Sequence, residues 1–122
     1  MGKILIVDDN KYIHYIISSI FEESGYVALS AKEKEDAMYH LHNSKPELVV
    51  IEKKLKNCDG FEILKEIRKN NQITPILMLT VCVDEETREE SLKLGANAFA
   101  TKPFDNEDIT KTINSLLGRK SA

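Results

Sequence analysis

The 122-residue sequence is 42% hydrophobic and 30% charged, and its 20 acidic and 17 basic residues leave a net charge of −3. This composition supports a real core, which argues against a disordered chain or a small disulfide-stabilised protein. Apolar runs of a few residues exclude a transmembrane helix, and an acidic balance without a basic block argues against nucleic-acid binding. We expect one domain over residues 1–122, with 119–122 as a tail, and a cytoplasmic location because no signal-peptide pattern opens the sequence.

Short, continuous apolar runs predict five β-strands. Apolar residues that continue rather than alternate are typical of strands covered on both faces of a parallel sheet. In chain order, the predicted strands are residues 4–7, 26–29, 48–51, 76–79 and the weaker 96–100.

Apolar residues at helical spacing between these runs predict five helices. The first carries an apolar stripe and is stopped by Gly25; the stripe consists of Tyr12, Ile13, Ile16, Ile17, Ile20 and Phe21. The next two are marked by Ala37, Met38 and Leu41, and by Phe61, Leu64 and Ile67. The fourth covers residues 84–94 and ends at Gly95, and the fifth buries Ile109, Ile113, Leu116 and Leu117. Asp105 is a predicted cap of the fifth helix, with Glu107 and Asp108 in its first turn.

Strict alternation of strand and helix predicts βαβ units with right-handed crossovers, and therefore a parallel sheet between two layers of helices. The fourth helix is unusually polar, since residues 84–90 read DEETREE and its only apolar residues are Leu92 and Leu94. We interpret this run as a solvated face, with a partner-docking surface as the alternative.

Polar residues follow four of the predicted strands. Asp8 and Asp9 follow the first strand, Glu52 the third, Thr80 the fourth and Lys102 the fifth. Ligands of open α/β sheets bind outside the carboxyl ends of the strands, so we expect these side chains to lie together.

Chemically, this set is suited to a divalent cation and a phosphoryl group. Two carboxylates about 4 Å apart repel by about 4 kcal/mol at an effective dielectric of 20, and a cation relieves this repulsion. Oxygen ligands in a small acidic pocket favour Mg²⁺. Lys102 would add a fixed positive charge and Thr80 a hydroxyl donor, which are the groups that hold a phosphoryl group.

Four stretches of the sequence resemble the response-regulator receiver domains of two-component systems. They are VDDN (7–10), ELVVIEKKLKNCDG (47–60), LT (79–80) and GANAFATKPF (95–104), and the resemblance covers essentially the whole chain. It implies a (βα)5 doubly wound parallel sheet with the flavodoxin-like strand order 2-1-3-4-5. It also implies a module of phosphorelay signal transduction rather than an enzyme.

The resemblance also implies partners. A sensor histidine kinase or a histidine phosphotransfer protein would dock near the pocket and the first helix. A downstream protein target would bind the face formed by the fourth helix, the fifth strand and the fifth helix. Direct contact with nucleic acid or membrane is not expected, and the domain would be a monomer or a weak dimer.

For the metal, the resemblance implies that Asp8 and Asp9 hold Mg²⁺. The carboxylate at position 52 and the backbone carbonyl of Lys54 would complete the protein ligands. Mg²⁺ would be weakened or absent if Glu52 or a lysine fills the pocket.

For the switch, the resemblance implies that Thr80 and Lys102 contact the phosphoryl oxygens. Phe99 matches the aromatic residue that changes rotamer on activation. Asp59 matches the start of the third helix, where it is a predicted N-cap.

Glu52 departs from the family pattern, which has a phosphoacceptor aspartate at this position. Lys56 and Val81 also depart, standing where a proline and a small residue are usual. Glutamate is longer than aspartate by about 1.5 Å, and a 1 Å misplacement can cost ~100-fold in a transfer reaction. We therefore expect phosphoryl transfer to Glu52 to be poor or absent.

Three interpretations of Glu52 remain open at this point. It imitates the phosphorylated aspartate with part of its charge, or it marks a degenerate receiver that retains only a binding surface, or it was introduced by engineering. The lysine-rich loop after it is interpreted as solvated, with Lys54 leaning over the pocket as the alternative.

Two other classes of protein fit the sequence less well. A Mg²⁺-dependent phosphohydrolase on a related fold would place its second acid two residues after the first, where this sequence has Asn10. A flavodoxin-like electron carrier would need a phosphate-binding loop after the first strand, where Asp8 and Asp9 would repel the phosphate.

The remaining reactive side chains show no motif. Cys58 and Cys82 are interpreted as inert free thiols. His14, His40 and His42 are interpreted as surface or hydrogen-bonded helix residues. Four tyrosines are assigned to the edge of the core: Tyr12, Tyr15, Tyr26 and Tyr39.

Overall fold

The computed structural model describes residues 2–22 and 24–118, and the predicted tail at 119–122 lies outside the described residues. Five strands and five helices alternate along the chain, as the sequence predicts. The strands are β1 (Lys3–Val7), β2 (Val27–Ala31), β3 (Leu48–Ile51), β4 (Ile76–Thr80) and β5 (Ala98–Thr101). The helices are α1 (Lys11–Glu22), α2 (Lys34–Ser44), α3 (Gly60–Asn70), α4 (Glu85–Lys93) and α5 (Asn106–Leu116).

The sheet has the predicted strand order, β2-β1-β3-β4-β5, with every neighbouring pair parallel. The register aligns the last residue of β1 with the last residue of β3, Val7 with Ile51. The residues that follow these two strands, Asp8 and Glu52, therefore leave the sheet side by side. This register places the polar strand ends at one edge.

Two apolar cores cover the two faces of the sheet, because successive strand side chains point to opposite faces. The α2/α3 core contains Leu5, Val7, Ala31, Ala37, Val49, Ile51, Leu55, Ile63, Leu64, Ile67, Ile76, Met78 and Ala96. The α1/α5 core contains Ile4, Ile6, Ile13, Ile17, Phe21, Leu48, Val50, Leu77, Leu79, Ile109 and Ile113.

The buried side of α1 differs from the predicted stripe. Ile13, Ile17 and Phe21 are buried at intervals of four residues, whereas Tyr12 and Tyr15 are exposed. At about 100° per residue, positions 12 and 15 lie outside the arc that faces the sheet. Their assignment to the core edge was wrong, as was that of Tyr39 on α2, which is exposed. Tyr26 does pack at the edge of the α1/α5 core.

The predicted helix caps are confirmed. The carboxylate of Asp59 accepts the backbone N–H of Phe61, and that of Asp105 accepts the N–H groups of Glu107 and Asp108. Each cap satisfies backbone donors that the first turn of a helix leaves unpaired.

Helix α4 is the most polar of the five, as its sequence indicates. Asp84 caps it by accepting the N–H of Thr87, and Ser91 is its buried residue. Leu92, one of the two apolar residues of the predicted helix, is exposed. Among the described residues, no helix combines the length and apolar character needed to cross a membrane.

Candidate functional site at the carboxyl edge of the sheet

The ends of β1, β3 and β4 and the segment after β5 bring together four of the predicted residues. Asp8 and Glu52 are each 3% exposed, and Thr80 is fully buried at the end of β4. Lys102, after β5, reaches both acids. We call these four residues, with the neighbouring Asp9, the acidic pocket.

The ammonium group of Lys102 is held between two carboxylates. Its Nζ lies 2.6 Å from Asp8 Oδ2 and 3.0 Å from Glu52 Oε1, and the lysine side chain is 10% exposed. Backbone pairing fixes this segment, because the Lys102 N–H donates to the carbonyl of Thr80 at 2.9 Å. Lys102 therefore forms ion pairs with both Asp8 and Glu52, and its ammonium group is not left free to bind another anion.

The carboxylate of Glu52 is hydrogen-bonded on both oxygens. Oε1 accepts the backbone N–H of Val81 at 3.1 Å as well as Lys102, and Oε2 accepts the N–H of Lys54 at 3.1 Å. We call these three groups, the Lys54 N–H, the Val81 N–H and the Lys102 ammonium, the donor cluster. It is an anion-binding arrangement, and the side chain of Glu52 fills it.

The other two acids are also engaged by protein donors. Asp8 Oδ1 accepts the N–H of Asn10 at 2.8 Å, and Asp9 Oδ2 accepts the N–H of Lys56 at 2.9 Å. Within residues 2–22 and 24–118, no group of three His, Cys, Asp or Glu side chains is arranged to hold a metal ion. As placed, the carboxylates do not fit the Mg²⁺ that the receiver pattern implies, because their oxygens are directed at lysine and backbone donors.

Gly60 fixes the backbone of Glu52 from behind. Its N–H donates to the carbonyl of Lys53 at 2.7 Å. A Cβ at this position would lie 2.2 Å from the backbone oxygen of Glu52, so only glycine fits this approach. This close contact with Gly60 fixes the backbone of Glu52, and therefore the place where its side chain begins.

Lys53 contacts the residues that begin α3. Its Nζ lies 2.8 Å from Asp59 Oδ2 and 4.8 Å from the centre of the Phe61 ring. The hydrogen bond with Asp59 raises the pKa of Lys53, and the charge of Asp84 adds to this. The positive charge next to Glu52 in the sequence therefore pairs with the cap of α3 and not with the acids of the pocket.

Neither of the predicted switch residues, Thr80 and Phe99, hydrogen-bonds to Glu52 among the described residues. The hydroxyl oxygen of Thr80 accepts the N–H of Cys82 at 3.0 Å, and no hydrogen bond joins it to Glu52 among the described residues. Phe99 is half-buried and packs against the α2/α3 core. Lys54 has an exposed side chain and contributes its backbone N–H, so the lysine inside the pocket is Lys102 and not Lys54.

His14 is a hydrogen-bonded helix residue, as predicted, but the sequence analysis did not place it at the site. Its Nε2–H donates to the backbone carbonyl of Asp8 at 2.6 Å, and its Nδ1 lies 2.9 Å from the hydroxyl of Ser30. The ring thus ties α1 and β2 to the turn that carries Asp8. The position of His14, in the first turn of the helix that follows Asp8 and Asp9, is the sequence feature that could have indicated this role.

The other isolated side chains carry no further site. His42 is exposed, and the buried Nδ1 of His40 has no hydrogen-bond partner among the described residues. Cys58 and Cys82 are both free and half-buried.

Residues 4–114 match the family model of the response regulator receiver domain. The chain therefore belongs to this family, and it is a receiver domain of two-component signalling rather than a classical enzyme. Receiver domains interact with histidine kinases and with downstream targets.

The similar proteins include transcriptional regulators and isolated receivers. The alkaline phosphatase synthesis transcriptional regulatory protein PhoP of Bacillus subtilis is 35% identical over 96% of this chain and 49% of its own length. A probable transcriptional regulator, ycf27, of Galdieria sulphuraria is 36% identical over 96% of this chain and 46% of its own length. The chain thus spans about half the length of these curated relatives.

Solved structures share the whole fold. A Francisella response regulator receiver domain superposes with a TM-score of 0.86 at 30% identity, covering 97% of this chain and 98% of that chain. The chemotaxis protein CheY4 of Vibrio cholerae gives a TM-score of 0.86 at 29% identity, covering 95% and 98%.

Proposed function

We propose that this receiver domain signals without accepting a phosphoryl group, because the carboxylate of Glu52 occupies the anion-binding donor cluster permanently. The observation that carries the proposal is the contact of both Glu52 oxygens with the Lys54 N–H, the Val81 N–H and the Lys102 ammonium. In the family pattern, this strand end carries the phosphoacceptor aspartate. The longer glutamate places its own charge where a transferred group would lie.

Burial and hydrogen bonding make Glu52 a poor nucleophile. The side chain is 3% exposed, and neither oxygen is free of a donor. Attack on a phosphorus atom requires an accessible oxygen in line with the leaving group. Glu52 would have to break at least one of these hydrogen bonds and leave the pocket before it could react.

The mimicry of a phosphorylated aspartate is partial. A carboxylate carries one negative charge where a phosphoryl group carries about −1.5 to −2. The hydroxyl of Thr80 accepts from Cys82 instead of donating to Glu52 as far as the described residues go. We therefore infer a fixed conformation set by Glu52 and Lys102, without the link through Thr80.

The partners and the location belong to the same proposal. The domain would meet a histidine kinase or phosphotransfer protein beside the acidic pocket and α1, in the cytoplasm. It would present a fixed α4-β5-α5 face to a protein target, as a monomer or weak dimer without direct contact to nucleic acid. The acidic, solvated surface of α4 supports a protein rather than a nucleic-acid partner on that face.

A small-molecule phosphodonor in the presence of Mg²⁺ tests the proposal, with intact mass as the readout. We expect no phosphoryl adduct on the wild-type protein and an adduct on Glu52→Asp, whose shorter side chain withdraws from the donor cluster. Glu52→Gln is the matched control, since it keeps the length and loses the nucleophile. An adduct on wild-type Glu52 at the rate of the aspartate variant would contradict the proposal.

A further inference from the structure

We propose that Lys102 is the resident counter-cation of the acidic pocket and that it keeps this receiver from binding Mg²⁺. The ammonium lies within hydrogen-bonding distance of Asp8 and Glu52, at 2.6 and 3.0 Å, in a pocket where both acids are almost fully buried. This buried cation lowers the formal charge of the Asp8 and Glu52 pair from −2 to −1, and so weakens the attraction of the pocket for a second cation.

The arrangement of the oxygens supports the same conclusion. Mg²⁺ requires near-octahedral oxygen ligands at about 2.0–2.1 Å and gives up its water reluctantly. Asp8 has one oxygen on Lys102 and the other on the N–H of Asn10, while Asp9 is turned towards the N–H of Lys56. Metal binding would have to break these contacts and place a divalent charge beside the ammonium group.

The length of Glu52 makes this arrangement possible. Its Oε1 accepts hydrogen bonds from the Val81 N–H and from the ammonium of Lys102. The same ammonium also donates to Asp8 Oδ2, so Glu52 helps to hold the lysine against Asp8. The inference rests on the same placement of Glu52 as the proposed function, but it concerns the cation and not the transfer of a phosphoryl group.

Titration with Mn²⁺ as the probe ion tests the inference, with free Mn²⁺ followed by electron paramagnetic resonance. We expect no saturable binding to the wild-type protein up to roughly 10 mM. Lys102→Met should bind Mn²⁺ saturably with a Kd below about 1 mM, at least ~10-fold tighter than this limit, because the variant removes the opposing charge and frees oxygens of Asp8 and Glu52.

Lys53→Met is the matched control. It removes the same unit of charge close to the pocket in sequence, but its ammonium contacts Asp59 and not the acids of the pocket. We expect its Mn²⁺ binding to equal that of the wild type. Lys102→Gln, which keeps a hydrogen-bond donor without the charge, serves in place of the methionine variant if that variant does not fold.

Saturable binding of Mn²⁺ by the wild-type protein, with Mg²⁺ competing, would overturn the inference. An equal gain of affinity in Lys53→Met would overturn it as well, since total charge and not Lys102 would then decide binding. These results are separable from the proposed function, because no phosphodonor is present and the state of Glu52 as an acceptor is not measured.

Discussion

Replacing Lys102 by methionine should destabilise the domain strongly. The ammonium lies 2.6 and 3.0 Å from two carboxylates whose side chains are 4% and 3% exposed. At an effective dielectric of 20, each contact corresponds to about 6 kcal/mol of Coulomb attraction, which desolvation largely offsets. Removing one partner of a buried ion pair typically costs 3–5 kcal/mol, because the remaining charge is left uncompensated.

Urea unfolding followed by far-ultraviolet circular dichroism measures this loss. We expect Lys102→Met to lower the free energy of unfolding by about 3–5 kcal/mol. Lys53→Met should lose no more than about 1 kcal/mol, since its ion pair with Asp59 is partly open to solvent, with side chains 25% and 45% exposed. Adding Glu52→Gln to the Lys102 variant should recover at least about 1 kcal/mol by removing one unpaired charge. A loss below about 1 kcal/mol in Lys102→Met would refute the reasoning, because the buried bridge would then behave as a surface pair.

Two further predictions concern the loops that shape the site. Gly60→Ala should cost about 1–3 kcal/mol or more in urea unfolding, because its Cβ would lie 2.2 Å from the backbone oxygen of Glu52. Gly118→Ala is the comparison, since open space surrounds that position and only its positive φ opposes a side chain; a loss as large there would contradict the steric account. Hydrogen bonds from the side chain and backbone of Thr87 lower the pKa of Asp84 below 3.8. The ionised cap therefore stabilises the folded protein above pH 3.8, and this stabilisation is lost as the pH falls through the lowered pKa. Carboxyl NMR should show the midpoint moving back towards 3.8 in Thr87→Val, and an unchanged midpoint would refute the cause.

The fold could be predicted because its signals are local. Continuous apolar runs mark strands buried on both faces, and the order of the strands follows from the family pattern. The last strand was displaced, from the predicted 96–100 to Ala98–Thr101. Asn97 explains this shift, since its side-chain oxygen accepts the N–H of Ile76 and a hydrogen bond from Arg68, and so ends the loop before β5.

The sequence predicts which side chains form the site, but not which hydrogen bonds they make. Strand ends identify Asp8, Glu52 and Lys102 as neighbours, since parallel strands deliver them to one edge. The backbone donors of Lys54 and Val81 carry no side-chain signal, so no sequence pattern reveals that they hold a glutamate. Whether Lys102 forms ion pairs with the acids or stays available for a bound anion depends on the distances between its Nζ and the carboxylate oxygens, which the sequence does not give.

The amide NMR signals of Val81 and Lys54 test the central claim most directly, which is that Glu52 occupies the donor cluster. In the wild-type protein, both signals should stay unchanged when Mg²⁺ and a phosphodonor are added, because the cluster is already filled. Glu52→Gln should move both signals upfield, since it replaces a charge-assisted hydrogen bond by a neutral one. Signals that shift in the wild type on addition of the phosphodonor, and do not respond to Glu52→Gln, would contradict the account.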